Sequence, residues 1–363
     1  MADIEVNAQR PSACPAPSRL GILGTGSGLP RRRVSNREVA ETLDVGEGWV
    51  AKATGVLERR VADVTETNLQ FAVSAARSAL KSAQVSPADI GTIIVATSTP
   101  DQAIPGIAPK VQGIIGACNS VAFDINAGCA GFLLACELGQ TILSSGSQAS
   151  YALIIGSDVL SRCLDTSDRR TYPLFGDGAG AVVLGSVSPG VGVLNVKVST
   201  DGRLEHYCSG GPKLPVQGQC PDPTGHYVRL RGREISELVR RLFPELVTDS
   251  LKEAGLTVED IDHLICHQAN PVLIRECAYA VGFSPEQVMI TGDRLGNTGG
   301  ASIPIGLDLA VRAGRVRRGD TILMIAFGAG VTAGRLLLRW AANAPAAEKG
   351  VSQEASRPAF LLP

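Results

Sequence analysis

The sequence predicts an α/β fold built from two copies of one unit. Three observations carry that prediction. Runs of β-branched and aliphatic residues alternate with helix-period stretches along most of the chain, as expected for strands buried on both faces between helices. "SALKSAQVSPADIGTIIVATS" (78–98) and "SLKEAGLTVEDIDHLICHQAN" (250–270) superimpose at an offset of 171 residues, sharing Leu80/Leu251, Lys81/Lys252, Ala83/Ala254, Asp89/Asp260, Ile90/Ile261 and Ile94/Ile265. A second echo sets "YALIIGSDVL" and "FGDGAGAVVLG" (within 151–185) against "DTILMIAFGAGVTAGRLLLRW" (320–340). Two copies in the same order imply a duplication, with the active site expected where the halves meet.

Along the chain, residues 1–17 are Pro/Ala/Ser-rich and read as a disordered tail without the basic start and apolar stretch of a signal peptide. An N-terminal half is expected over 18–186, a C-terminal half over 187–341, and a flexible, aperiodic tail over 342–363. "GILGTGSGLPRRR" (21–33) resembles a nucleotide loop only superficially, because Pro30 and three arginines follow where a helix should start. "FGDGAGA" (175–181) lacks the Lys-Ser/Thr of a phosphate loop, so both glycine-rich stretches read as turns. "NSVAFDI" (119–125) reads as a strand, and "GFLLACELGQTILSSG" (131–146) as the helix after it. "DHLICHQAN" (262–270) is a buried strand that ends near His267, and "GDRLGNTGGASIPIGLDLA" (292–310) a loop that enters an apolar helix.

Composition narrows the function. The chain has 363 residues, 44% of them hydrophobic, and a net charge of −1, which gives no reason to expect nucleic acid or an anionic membrane as partner. No run approaches the ~18 apolar residues that span a bilayer. Nine scattered cysteines indicate neither a disulfide framework nor a zinc site, and Cys266 and His267 lack further ligands at ligand spacing. A reducing cytoplasm is the expected compartment.

Three residues then attract attention. Cys129 in "DINAGCAGF" sits where a strand passes into a helix, and the positive end of a helix dipole favours the thiolate. His267 ends a buried strand at the edge where catalytic groups emerge, while His206, His226 and His263 suit surface or structural roles. Asn297 lies in a glycine-flanked loop, the setting of many turn residues. Singly, each has an ordinary structural explanation.

Together, "DINAGCAGF", "ICHQAN" and "RLGNTGGAS" closely resemble ketoacyl-ACP synthase III of the thiolase superfamily. The resemblance runs from about residue 20 to 340 and includes "GEGWVAKATGVLERR" (46–60), "SDVLSRCLDTSDRRT" (157–171), "FGDGAGAVVL" (175–184) and "AFGAGVTAGRLLLRW" (326–340). It implies a duplicated, five-layer αβαβα fold, which accounts for the internal repeat. It implies that Cys129 is acylated by an acyl-CoA, with the backbone N–H groups of Cys129 and Ala329 as oxyanion hole. His267 and Asn297 would then hydrogen-bond the carbonyl of a malonyl-type thioester during decarboxylative condensation. Trp49 and Arg169 match a pair that sandwiches the adenine of coenzyme A, and Asn270 matches a pantetheine contact. Ile104 and Phe327 fall at acyl-pocket positions, Ile104 reaching the pocket of a second copy in a homodimer. No cofactor is expected to be bound; coenzyme A enters as the substrate thioester.

The chain departs from the pattern in places. Ala53 stands where an arginine often meets coenzyme A, and Ile104 where a phenylalanine often caps the pocket. Basic residues that dock an acidic carrier are replaced by Glu237, Val272, Tyr279 and Ala280, with Arg240, Arg241 and Arg275 nearby. These departures point to a condensing enzyme of specialised metabolism whose acceptor is a malonyl thioester, a small molecule or a dedicated carrier protein. The alternative is an acyltransferase that passes the acyl group from Cys129 to a hydroxyl, amine or carrier without decarboxylation. A silent partner subunit is disfavoured by the intact Cys129, His267 and Asn297, and a thiolase proper by the lack of a second cysteine in "FGAG".

Overall fold

The computed structural model describes residues 19–145, 150–211 and 224–342; the tail expected over 1–17, and all but the first residue of that expected over 342–363, lie outside them. The first copy runs β1 (Leu20–Gly28), β2 (Arg33–Ser35), α1 (Asn36–Leu43), α2 (Glu47–Thr54), β3 (Glu58–Arg60), α3 (Asn68–Ala83), β4 (Ile90–Ala96), α4 (Ile107–Ile115), β5 (Val121–Ile125), α5 (Gly131–Ser144), β6 (Tyr151–Val159) and β7 (Asp177–Ser186). The second runs β8 (Gly192–Thr200), β9 (Cys208–Ser209), β10 (Arg229–Leu230), α6 (Gly232–Ala254), β11 (His263–Cys266), α7 (Pro271–Val281), β12 (Val288–Met289), α8 (Gly292–Leu295), α9 (Ser302–Arg312), β13 (Thr321–Gly328) and β14 (Thr332–Arg339).

Two five-stranded mixed sheets result, ordered β1-β7-β6-β4-β5 and β12-β11-β13-β14-β8. Their pairings correspond strand for strand. β4 is parallel to β5 and β6, as β11 is to β12 and β13, and the remaining two strands of each sheet add antiparallel. This is the duplication that the repeat implies, at the level of hydrogen-bonded topology.

Side-chain alternation along the strands builds the layers. Ile94, Ala96, Ala152 and Ile154 of the first sheet, with Ile265, Ile322 and Met324 of the second, share one core with Phe132 and Leu133 of α5 and Ile303 and Leu307 of α9. The intervening Ile93, Val95, Leu153 and Ile155 turn outward to α3 and α4. Leu264, Leu323 and Ile325 turn outward to α6 and α7. Helices α5 and α9 are therefore the middle of five layers, α-β-α-β-α. Helix α9 and strand β1 are tied by polar bonds as well: Thr25 and Ser27 donate to the Asp308 carboxylate at 2.9 and 2.6 Å.

The two glycine-rich stretches are not turns. Gly21–Gly28 belongs to β1, and Asp177–Ala181 opens β7. Their glycines let helices lie directly on the sheet: a Cβ at Gly26 would come within 2.4 Å of the Ala75 carbonyl oxygen of α3, and one at Gly180 within 2.5 Å of the Ile305 nitrogen of α9. Absence of a side chain, rather than turn conformation, is what these positions require. Among the described residues no helix is long and apolar enough to cross a membrane.

Candidate active site

Cys129 lies in the short loop between β5 and α5, directly before the N-cap Ala130. Opposite it, β13 ends at Gly328 and the chain turns through Ala329, Gly330 and Val331 into β14. The two loops interlock through their glycines. A Cβ on Gly128 would stand 2.6 Å from the Ala329 nitrogen, and one on Gly328 2.8 Å from the Cys129 nitrogen. That interlock brings the backbone of Cys129 and Ala329 together.

The thiol is not held as a thiolate by its helix. Cys129 is half-buried, and burial pushes its thiol up, with the Cys208 thiol and Asp158 carboxylate adding in the same direction. Desolvation can raise a thiol by several pH units, whereas a helix terminus contributes roughly 0.3–2 kcal/mol, about one pH unit or less in most settings. Burial outweighs the helix terminus, and the neutral thiol is the favoured form.

His267 follows the last residue of β11, with its backbone N–H donating to Ile325 of β13 at 2.8 Å. It is 4% exposed, and burial lowers it to about 4, partly opposed by the backbone of Gly299. Gln268 beside it is fully engaged. Its amide nitrogen donates to the Cys266 and Met289 carbonyls and its oxygen accepts from Thr291 and Gly292, clamping the strand end to the loop that leads to Asn297.

Asn297 is 6% exposed. Its backbone exchanges hydrogen bonds with Leu174 and Gly176, and its Oδ1 accepts from the Gly299 N–H at 2.9 Å. With Oδ1 engaged, Nδ2 is the group left to donate. Gly299 is the junction of this loop: its φ is +59°, and a Cβ would lie 2.4 Å from Oδ2 of Asp158.

Asp158, at the end of β6, was not singled out by the sequence. It is buried, and desolvation pushes its carboxyl up to about 6 against the hydrogen bonds it accepts. Those come from the backbone of Ser98 at 2.8 Å, the Thr99 and Thr97 hydroxyls at 3.1 and 3.4 Å and the backbone of Gly300 at 2.8 Å. Ser98 in turn donates to Asn126, three residues before Cys129. The carboxylate thus ties the cysteine side to the asparagine loop. Ser302, also unremarked in the sequence, contacts Nδ1 of His267 at 2.8 Å. Neither residue type nor spacing marks such partners, because they act through contacts made only in the fold.

The remaining expected residues lie farther out. Trp49 of α2 is 39% exposed. Arg169 donates to the Leu43 and Asp44 carbonyls, just ahead of α2. Asn270 caps α7, accepting from Val272 and Leu273, while its Nδ2 reaches the Ala53 carbonyl of α2 at 3.5 Å. All three cluster around α2. Phe327 is half-buried on β13 against the outer core. Ile104 is not brought to Cys129: it projects from the loop after β4, 88% exposed. His263 contacts Asp320 at 3.1 Å, in keeping with a structural role. Among the described residues no group of three or more His, Cys, Asp or Glu is placed to hold a metal ion.

Residues 123–202 match the family model for 3-oxoacyl-[acyl-carrier-protein] synthase III, and residues 251–340 match the model for its C-terminal part. The β-ketoacyl-[acyl-carrier-protein] synthase III of Sphingopyxis alaskensis is 44% identical over 89% of this chain and 99% of its own; that of Rhizorhabdus wittichii is 42% identical over 89% and 99%. The chain belongs to the β-ketoacyl-ACP synthase III family. Among solved structures, the Aquifex aeolicus synthase III superposes with a TM-score of 0.82 at 37% identity, over 88% of this chain and all of that one. The priming β-ketosynthase of the R1128 polyketide pathway gives 0.83 at 33% identity, over 91% and 99%. The fold is accordingly thiolase-like. As a β-ketoacyl synthase III, the protein is an acyltransferase whose reaction is decarboxylative condensation, not the simple acyl transfer weighed as an alternative.

Proposed function

We propose that Cys129 receives the acyl group of an acyl-CoA and that His267 and Asn297 serve the condensation with a malonyl thioester. The interlock of Gly128–Cys129 with Gly328–Ala329, at the end of the strand beside His267, is the observation that carries this reading. It supports an oxyanion hole formed by the N–H groups of Cys129 and Ala329. Decarboxylation leaves an enolate whose oxygen is stabilised by Nδ2 of Asn297 and a protonated His267, and the enolate carbon attacks the acyl–Cys129 thioester. No resident cofactor is needed, because departing CO2 leaves the electron pair. Trp49, Arg169 and Asn270, grouped about α2, form the proposed coenzyme A entrance.

The two units proposed over 18–186 and 187–341 act as one catalytic body in a homodimer. The open edge of β5 supports this arrangement, with Val121 68% exposed and Ile104 88% exposed beside it. In the dimer Ile104 reaches the neighbouring acyl pocket, near Phe327. For the acceptor, two arginines of the α6–α7 surface are already engaged by carboxylates, which leaves Arg241 and Arg275 as its nearby cations. Glu237 pairs with Arg233 at 2.9 Å, and Arg240 is held by Glu276 at 2.7 and 3.0 Å. Val272 and Tyr279 are exposed there without charge. A malonyl thioester on coenzyme A or on a dedicated carrier suits this surface better than an acidic fatty-acid carrier, as a cytoplasmic enzyme of specialised metabolism would require.

Incubation with a panel of acyl-CoAs followed by intact mass measurement tests the central claim. One acyl adduct per chain is expected, absent in Cys129→Ala. An adduct that survives this change, or maps to Cys118 or Cys136, overturns the assignment.

A further inference from the structure

Ser302 heads α9 and is 2% exposed. A serine hydroxyl has one hydrogen to give and two lone pairs to fill. Here all three are accounted for. The hydroxyl donates to the Gly299 carbonyl at 2.9 Å, accepts from the Gln268 backbone N–H at 3.3 Å, and lies 2.8 Å from Nδ1 of His267. With its hydrogen committed to Gly299, Oγ is the acceptor in the last contact and Nδ1 the donor. Burial keeps the ring neutral. A neutral imidazole has a single N–H, so Nε2 carries a lone pair.

We propose that Ser302 is a positioning residue that fixes His267 as the Nδ1–H tautomer, so that Nε2 takes the Cys129 proton during acyl loading. This deepens, and rests on, the reading of Cys129 as nucleophile. The S–H bond of Cys129 breaks and its proton bonds to Nε2, giving an imidazolium. The sulfur electron pair forms the bond to the acyl carbon. The bond from that carbon to the coenzyme A sulfur breaks, and the thiolate leaves with its electron pair and is protonated by solvent. The new Nε2–H then faces the enolate oxygen in condensation, and returns to Cys129 when the C–S bond of the acyl-enzyme breaks. One proton serves both half-reactions.

Long-range ¹⁵N–¹H correlation spectra of the ¹⁵N-histidine-labelled full chain, with His267 assigned by its loss in His267→Gln, read the tautomer directly. A protonated Nδ1 and a bare Nε2 are expected; a protonated Nε2 in the resting protein overturns the proposal. In Ser302→Ala the ring should become a mixture of tautomers. Loading from acetyl-CoA should slow about tenfold with an unchanged KM, and alkylation mapped to Cys129 by iodoacetamide should slow in parallel. Wild-type rates in both assays overturn the role of Ser302. If wild type takes no acetyl group, the nucleophile reading fails at this donor, while the spectra and the alkylation rates still decide the tautomer.

Discussion

In the N-terminal sheet β4 is followed by the exposed loop of Ile104, whereas its counterpart β11 stops at the buried His267. Likewise, β5 passes through a short loop carrying Cys129 into α5, while its counterpart β12 passes through α8 and the Asn297 loop into α9. With Ile94 matched to Ile265, the strand registers match Ile154 to Met324 and therefore Asp158 to Gly328. One copy places a buried carboxylate where the other needs bare backbone against Cys129. Two scaffolds of the same sheet topology thus place different groups at corresponding loop positions: a thiol on one side, and fixed hydrogen-bonding groups on the other. Burial acts on both in the same sense, favouring the neutral forms of Cys129, His267 and Asp158.

The sharpest way to separate the two sides is Asn297→Ala. Loss of one fixed donor to a developing oxyanion lowers the rate about 10²–10³-fold. The variant should load Cys129 normally while CO2 release from a malonyl thioester falls by that factor. Normal decarboxylation would remove the division of labour.

A pH titration of stability comes next. His267 titrates near 4 in the folded protein but near 6.5 when unfolded, so between these values the unfolded chain binds more protons and stability rises with pH. Wild type should therefore gain on His267→Gln by about 3 kcal/mol on going from pH 4 to pH 6.5, at ~1.4 kcal/mol for each pH unit between the folded and unfolded values. The same protein difference measured by denaturant titration, if flat across that window, would show that His267 is not buried neutral.

Gly299→Ala tests the tie between the sides. At a positive φ and against the Asp158 carboxylate, the added methyl should destabilise by about 2 kcal/mol, in the usual range for strain and overpacking. Chemical denaturation reads this directly, and an unchanged midpoint would mean the loop adapts freely.

The smallest effect is expected at the rim. Each surface ion pair contributes about 0.2–1 kcal/mol. Glu237→Lys should therefore improve use of a malonyl-carrier over malonyl-CoA only severalfold, with the gain fading in salt. A strong wild-type preference for the fatty-acid carrier would show instead that Arg241 and Arg275, with Arg240, form the dock.

Much of the molecule was legible in its residues. The 171-residue offset identified corresponding strands, and the strand–loop–helix settings of Cys129, His267 and Asn297 singled out the positions where polar chemistry emerges. Periodicity and repeats are local in the chain, and secondary structure follows them because burial of alternate side chains is decided residue by residue. Whether glycines make a turn or a close-packed strand was not local: at Gly26 and Gly180 it depended on helices far away in sequence that press on the sheet. The protonation of the site was not local either. A helix N-terminus can be read from residues 129–144 and suggests a thiolate, but desolvation comes from everything packed around the sulfur and outweighs it. The contacts of Asp158 with Ser98 and Gly300, and of Ser302 with His267, join residues 35 to 142 positions apart. Residue order alone was enough to specify the duplicated α/β scaffold and to single out Cys129, His267 and Asn297 as the side chains proposed to carry the chemistry. Their charge states, their orientation and the partners that hold them came from the packed molecule, because those depend on burial and hydrogen-bond geometry across the joined halves.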